Sequence, residues 1–362
     1  MRCLSNSLKG GCGLMFLPAG APSGRTRRFL SIAGLVGLML SPVQAAEPTN
    51  YPLTLRNCGR EVTFARPPQR TVSIGQGTTE ILLSLGLADR MAGTAVWVGR
   101  VLPQFAVENR RIPRLADNDP SFEAVVGQAP DLVAAQLEWH VGSHGRVGRR
   151  EQFAALGIPT YVSPADCTAK DNTGTGDGAR RQPFGMKLIY QEIRELAAIF
   201  DVAARGEALV SQLVEREAKA VAAVAAIKAD GLPALFWFSS REVKGDAFVA
   251  GRNGGAAYIM RRLGLRNVIE TDEEWPTIAW ETLVATDPAL LVLGSMERRR
   301  FPADDVAVKR RFLETDPVAS QMRAVRQQRV IALDAQSMNP TIRTIDGIEA
   351  VARGITALAM PR

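Results

Sequence analysis

Only two histidines occur in the chain, His140 and His144, four residues apart with Glu138 just ahead of them. On one face of a helix, imidazoles at that spacing could share a metal ion. Gly142 and Gly145 interrupt such a helix and no third strong ligand stands nearby. The pattern therefore fits a polar contact to a bound molecule, chiefly through His140, and no resident metal. Trp97, Trp139 and Trp275 offer flat apolar surfaces, while Arg298, in the run Arg298–Arg300, and Arg343 offer guanidinium groups. Stacking combined with guanidinium contacts would suit a flat, partly aromatic, anionic ligand. For the arginine run the alternative is a solvated charged surface. Trp237 alternates with Phe236 and Phe238 and reads as core.

These residues gain meaning from the elements that must carry them. Short apolar runs alternate with helical stretches: Thr71–Ile74, Leu132–Ala135 and Thr160–Val162 in the first half, then Ala234–Phe238, Leu290–Leu293 and Val330–Leu333 in the second. Unbroken apolar strands separated by helices imply parallel sheets covered on both faces. The expected fold is α/β, with two Rossmann-like lobes. Between them, residues 203–229 hold Leu209, Val210, Leu213, Val214, Val221 and Val224 at helical spacing. At 1.5 Å per residue such a helix would run about 40 Å, a rigid spine joining the lobes. The expected division is a leader over 1–45, an N-terminal lobe over 46–202, the spine over 203–229 and a C-terminal lobe over 230–362. Residues 168–182, rich in Gly, Asn and Thr, read as a long surface loop.

Ligands of open α/β sheets sit beyond the carboxyl ends of the strands. That rule selects Trp97, Trp139 and His140 in the first half as binding candidates. In the second half it selects Ser239, Arg298, Met338 and Arg343, with Trp275 at the edge. Enzyme signatures are missing: no phosphate-binding loop, no nucleophile elbow, no His-Glu-x-x-His and no Gly-x-Gly-x-x-Gly after a strand. No catalytic residue or cofactor is expected. The enzyme alternative is a tetrapyrrole metal chelatase, which would also have two α/β lobes.

The halves share a local unit. Phe122-Glu123 leads through Val126 to Pro130 and Leu132, and Trp280-Glu281 leads through Val284 to Pro288 and Leu290, with the glutamates and the prolines both 158 residues apart. Each copy reads as a short helix opening on a carboxylate, then a proline turn, then a buried strand. A first-turn carboxylate is favourable against the helix dipole by about 0.3–1 kcal/mol. That explains either glutamate singly but not their placement at the same point of both copies. Ser121 is placed to N-cap the first helix, where the second has Ala279.

The first 45 residues indicate export. Arg25, Arg27 and Arg28 precede the apolar run Phe29–Leu40, and Val43-Gln44-Ala45 supplies small residues for cleavage after Ala45. The run is well short of the roughly 20 apolar residues of a spanning helix. No cysteine stands at the cleavage point, which argues against a lipid anchor. Arg27-Arg28 invites a twin-arginine reading that the adjacent Phe29 weakens. Of 44 Lys and Arg residues, five lie in this segment and no acid does, leaving 39 basic against 37 acidic residues, a net +2. Nucleic-acid binding loses its electrostatic support once the leader is removed. Cys58 and Cys167 are the two cysteines beyond the leader, and an even pair in an oxidising compartment suggests one disulfide rather than two separate thiols. Closing such a loop is worth on the order of 4 kcal/mol in chain-entropy terms.

Taken in order, the motifs resemble a known family. Pro67–Ile74, Thr79–Arg90 with Gly93-Thr94, Pro130-Asp131-Leu132-Val133, Leu156-Gly157-Ile158-Pro159 and Trp275-Pro276 before Trp280-Glu281 are similar to landmarks of periplasmic binding proteins. The branch is the one that serves ABC importers of iron–siderophores and cobalamin, and the resemblance runs over about residues 52–358. It implies a rigid helix between two lobes, a ligand of ferric siderophore or corrinoid type in the cleft, and delivery to an inner-membrane permease dimer with its ATPase. By motif, Glu123 and Glu281 become the points that dock on arginine pockets of the permease. Asn57-Cys58-Gly59, Pro159–Pro164 and Thr341-Ile342-Arg343 resemble a branch linked to deazaflavin precursors. That adds such precursors to the candidate ligands, with haem a further flat anionic alternative; the tyrosine-plus-histidine pattern of haem binders is not visible.

Overall fold

The computed structural model describes residues 47–174, 178–227 and 229–358. The leader and its cleavage point lie outside these residues. The chain opens on an antiparallel hairpin, β1 (Leu53–Asn57) and β2 (Arg60–Phe64). A five-stranded sheet follows, from β3 (Thr71–Ile74), β4 (Met91–Ala95), β5 (Arg114–Ala116), β6 (Leu132–Ala135) and β7 (Thr160–Val162). Its order is β5-β4-β3-β6-β7, and every pair is parallel. The order reverses at β3, so its loops and those after β6 flank a crevice at the carboxyl end of the sheet.

The segment expected to be a plain loop contains a two-residue antiparallel ladder, β8 (Lys170–Asp171) with β9 (Ala179–Arg180). Two helices then run back to back, Lys187–Ile199 and Ala203–Ala226. The second is the expected spine, with 24 residues ending at Ala226 rather than Ala229. Its buried face is Gly206, Val210, Leu213, Glu217, Ala220 and Val224, spaced alternately four and three residues apart. A Cβ on Gly206 would lie 2.6 Å from the Ala197 Cβ, so the missing side chain is what lets the two helices approach.

The second sheet is built from β10 (Pro233–Ser240), β11 (Ala247–Val249), β12 (Arg266–Asn267), β13 (Thr277–Ile278), β14 (Leu290–Ser295) and β15 (Val330–Asp334). Here the expectation of a purely parallel sheet needs correction. β12, β14 and β15 run parallel to their neighbours, but β11 pairs antiparallel with β10, and β13 with β11. Only residues 241–246 separate β10 from β11, too few for the crossover that a parallel pair requires.

One apolar cluster joins both halves. It contains Leu132 and Tyr161 from the first sheet, Phe236 and Val292 from the second, and Leu213 and Ile348 from helices between and behind them. Two smaller clusters cover the far faces, around Val133 and Phe153 in the first half and around Trp237, Trp280 and Phe312 in the second. The spine and the C-terminal helix Thr344–Ala357 are also joined by ion pairs from Arg216 to Asp346 at 2.6 Å and to Glu349 at 2.8 Å.

Candidate functional site

The carboxyl end of β3 turns into the helix Gln76–Ser84 through Gly75, whose φ of 117° favours glycine. A Cβ there would meet the Gln136 Cβ at 2.3 Å. Gln136, just after β6, accepts the Gly77 N–H at 2.7 Å. The buried Gln76 amide joins the next loop: its Oε1 accepts from Val98 and Gly99, and its Nε2 donates to Glu80 Oε1 and the Arg100 carbonyl at 3.0 Å each. Three loops of the first half are thereby held in one arrangement.

Glu80 carries that arrangement into the second half. Arg343, which precedes the C-terminal helix, donates through Nε to Glu80 Oε2 at 2.8 Å and Oε1 at 3.1 Å. Its Nη2 donates to Glu80 Oε1 and the Arg100 carbonyl, and its Nη1 pairs with Asp334 at 2.8 Å. Glu80 is 1% exposed and Arg343 2% exposed. Burial pushes the Glu80 carboxyl upward, against the pull of the guanidinium. Further out, Arg298 of the second half donates to the carbonyls of Asp117 at 2.8 Å and Trp97 at 3.3 Å and to the Asn118 side chain. Arg100 and Glu297 pair across the same gap at 3.1 Å.

Several residues expected to contact a ligand are therefore used by the fold itself. Arg343 is consumed by Glu80 and Asp334. Trp97 is buried, with its Nε1 on Thr94 Oγ1 at 3.1 Å and the Arg114 guanidinium 4.8 Å from its ring. Met338 is fully buried, and the Ser239 hydroxyl donates to Asp304. Asp304 also accepts the backbone N–H groups of Arg300 and Phe301, shaping the arginine turn. Beside it, the buried Lys309 ammonium donates to the carbonyls of Phe238, Gly294 and Trp237 at the ends of β10 and β14. Burial lowers this amine to about 7.

A more open cluster remains in the first half. Glu138–Val141 forms one helical turn. His140 is buried, with Nε2 3.3 Å from Asp119 Oδ1 and Nδ1 lacking a hydrogen-bond partner among the described residues. The hydrogen bond from His140 holds the Asp119 carboxyl below its usual range. Half-buried Trp139 lies 4.9 Å from the His144 ring and 5.6 Å from the Arg146 guanidinium, while Arg146 also reaches Asp119. His144 is exposed and contacts the Asn172 carbonyl, so the two imidazoles have different partners. Among the described residues no group of three or more His, Cys, Asp or Glu side chains could hold a metal. In the second half, half-buried Trp275 packs against Phe238 with centroids 4.4 Å apart and the rings tilted by 34°. Nothing in the amino-acid order singles out Asp304 or Lys309, whereas the turn Asp117-Asn118-Asp119-Pro120 is a signal for Asp119.

The repeated unit persists in the backbone. Glu123 and Glu281 are exposed in the first turns of Phe122–Val126 and Trp280–Ala285. No ion pair among the described residues involves either. Ser121 Oγ accepts the Ala124 N–H at 3.1 Å, and Ala279 supplies no such cap. The turns that follow place non-glycine residues at positive φ at matching positions, Ala129 at 47° and Asp287 at 38°, each just before the proline. Cys58 and Cys167 are joined as a disulfide with Cα atoms 5.5 Å apart.

Comparison with known proteins agrees with this architecture. Residues 72–337 match the family described as periplasmic binding protein. The chain belongs to that family. An uncharacterized ABC transporter substrate-binding lipoprotein of Bacillus subtilis, YvrC, is 20% identical over 307 residues, covering 84% of this chain and 86% of that protein. The ferric enterobactin-binding periplasmic protein FepB of Escherichia coli is 26% identical over 174 residues, covering 45% of this chain and 54% of FepB. A solved structure from an Fe3+-hydroxamate transport system of Saccharomonospora viridis superposes with a TM-score of 0.65 at 25% identity, covering 84% of this chain and 99% of that one. No helix among the described residues is long and apolar enough to cross a membrane.

Behind the crevice of this binding protein lies a carboxyl with no cationic partner among its hydrogen bonds. Glu192 is 2% exposed and accepts from Thr78 Oγ1 at 2.7 Å and from the Ser163 hydroxyl. Burial pushes it up to about 7. The folded protein thus holds a proton that the unfolded chain releases near its ordinary carboxylate value. The associated stability is present at low pH and is lost as pH rises through about 7. Its full size is on the order of 3 kcal/mol. Glu192→Gln is expected to flatten the fall in Tm between pH 5 and pH 8, measured by circular dichroism. An unchanged pH profile would contradict a buried, protonated Glu192.

Proposed function

We propose that this binding protein is exported to the periplasm, captures an iron–siderophore or corrinoid-type ligand between residues 46–202 and 230–362, and delivers it to an ABC permease. The observation that carries the reading is the paired unit around Glu123 and Glu281. Two exposed carboxylates, one on each half and at the same point of one backbone motif, can report that both halves are in the docked geometry. Arginine pockets on two permease subunits would read them through charge-assisted pairs, which supply orientation more than affinity. The names of FepB and of the Saccharomonospora system support an iron-loaded ligand.

Within the cleft, the side chains left available are Trp139 with His144 and Arg146 on one half and Trp275 with Phe238 on the other. They favour a flat anionic ligand held by stacking and guanidinium contacts. His140 is buried, so its unpartnered Nδ1 would meet a ligand only if the turn Glu138–Val141 moved. Arg298 would contribute only by exchanging its bonds to the Asp117 and Trp97 carbonyls for the ligand. The binding step needs no bond-making, and the energy for transfer comes from the ATPase.

Native mass spectrometry of protein purified from periplasm, followed by thermal shift with ferri-siderophores, cobinamide and haem, tests the ligand class. A true ligand at a hundred times its dissociation constant adds about 2.7 kcal/mol and raises Tm accordingly. Recovery of a sugar or peptide instead, with no stabilisation by these compounds, would refute the reading. The charge-reversed double variant Glu123→Arg/Glu281→Arg is expected to abolish uptake while leaving ligand affinity within twofold. Intact uptake would refute the docking role.

A further inference from the structure

The helix Pro164–Cys167 has a single turn, yet both aromatic sites are tied to it. Cys167 is bonded to Cys58 in the turn of the β1–β2 hairpin. That turn is itself anchored: Asn57 exchanges two hydrogen bonds with the Val162 backbone, at 2.7 and 2.8 Å, and buried Arg150 donates to the Asn57 side chain and carbonyl. Cys58 is thus held against the edge of the first sheet, and the disulfide fixes Cys167 there.

Two chains of polar contacts leave the helix. Asp166, buried and paired with Lys170, accepts the Glu138 N–H at 2.6 Å, at the start of the turn that carries Trp139. The Asn172 amide closes this chain by donating to both Glu138 Oε2 and the Asp166 carbonyl. In the other direction, the Ala165 carbonyl accepts from Arg180 Nη2 at 2.6 Å, and Arg180 Nε pairs with Glu274 at 3.0 Å. Arg180 is almost fully buried, and Glu274 directly precedes Trp275. Neither tryptophan needs to touch the sulfurs to depend on them.

We infer that the Cys58–Cys167 disulfide is a positioning element of the ligand cleft. By fixing one helical turn, it sets Trp139 through Asp166 and Trp275 through Arg180 and Glu274. The inference rests on the reading of these two tryptophans as cleft walls. A pocket of about 420 Å³, lined in part by Cys58, Cys167, Glu138 and Gln191, opens beside the bond.

The protein has five tryptophans, so 5-fluorotryptophan labelling yields one fluorine resonance for each. Spectra are compared for the oxidised protein and for Cys58→Ser/Cys167→Ser, without ligand. The resonances of Trp139 and Trp275 are expected to shift or broaden while those of Trp97, Trp237 and Trp280 hold. Movement of all five together, or of neither Trp139 nor Trp275, overturns the inference. If the double variant does not fold, Glu274→Gln in the intact protein is expected to move Trp275 and leave Trp139 in place; an unmoved Trp275 overturns it equally. No ligand enters the measurement, so its failure would leave the transport reading standing, and a failed ligand search would leave this inference standing.

Discussion

Glu80 and Arg343 are 263 residues apart in sequence and meet in the interior, one from each half of the chain. Each brings a charge out of water, which costs several kcal/mol per ion before any attraction is counted. Such a pair is tolerable only when nearly every donor and acceptor is matched. Here Gln76, the Arg100 carbonyl and Asp334 complete the match. The pair therefore contributes little net stability but tolerates few geometries. It specifies one relation between the helix after β3 and the start of the C-terminal helix. The outer contacts of Arg298, Arg100 with Glu297, and Arg180 with Glu274 repeat the same kind of bond around the cleft.

That constraint explains how aromatic side chains can stay available. Polar groups on the cleft loops are largely committed to each other: Asp304 to the arginine turn, Lys309 to the strand-end carbonyls, Asp166 to Glu138. Trp139 and Trp275 are left half-buried, packed at a tilt against His144 and Phe238. The long-range polar bonds lie on the cleft side, and the apolar layer formed with the spine is continuous between the two halves.

Much of this was legible in the amino-acid order. β3, β6, β7, β10 and β14 are buried on both faces and so appear as short, largely apolar runs, β15 stands out by its apolar residues although it buries only one face, and the spine shows its stripe directly. The repeat at Glu123 and Glu281 was visible because its turn chemistry recurs at a fixed offset. β4, with the sequence Met-Ala-Gly-Thr-Ala, and the three-residue β5 carried too little pattern to be read. The antiparallel β11 follows from a loop length that only a known end for β10 reveals. In the sequence Arg343 resembles a ligand contact, because an arginine near a strand end shows its charge but not its partner. Lys309 lies in a basic run that resembles a solvated face, and only the fold turns it toward buried carbonyls.

Glu80 and Arg343 act as one unit joining the two halves. A double-mutant cycle on unfolding free energy, using Glu80→Gln, Arg343→Met and their combination, measures this directly. Each single change is expected to cost about 3–5 kcal/mol by stranding a buried charge or its polar partners, and the double variant should cost clearly less than the sum. Costs that simply add would show that the two side chains are not coupled.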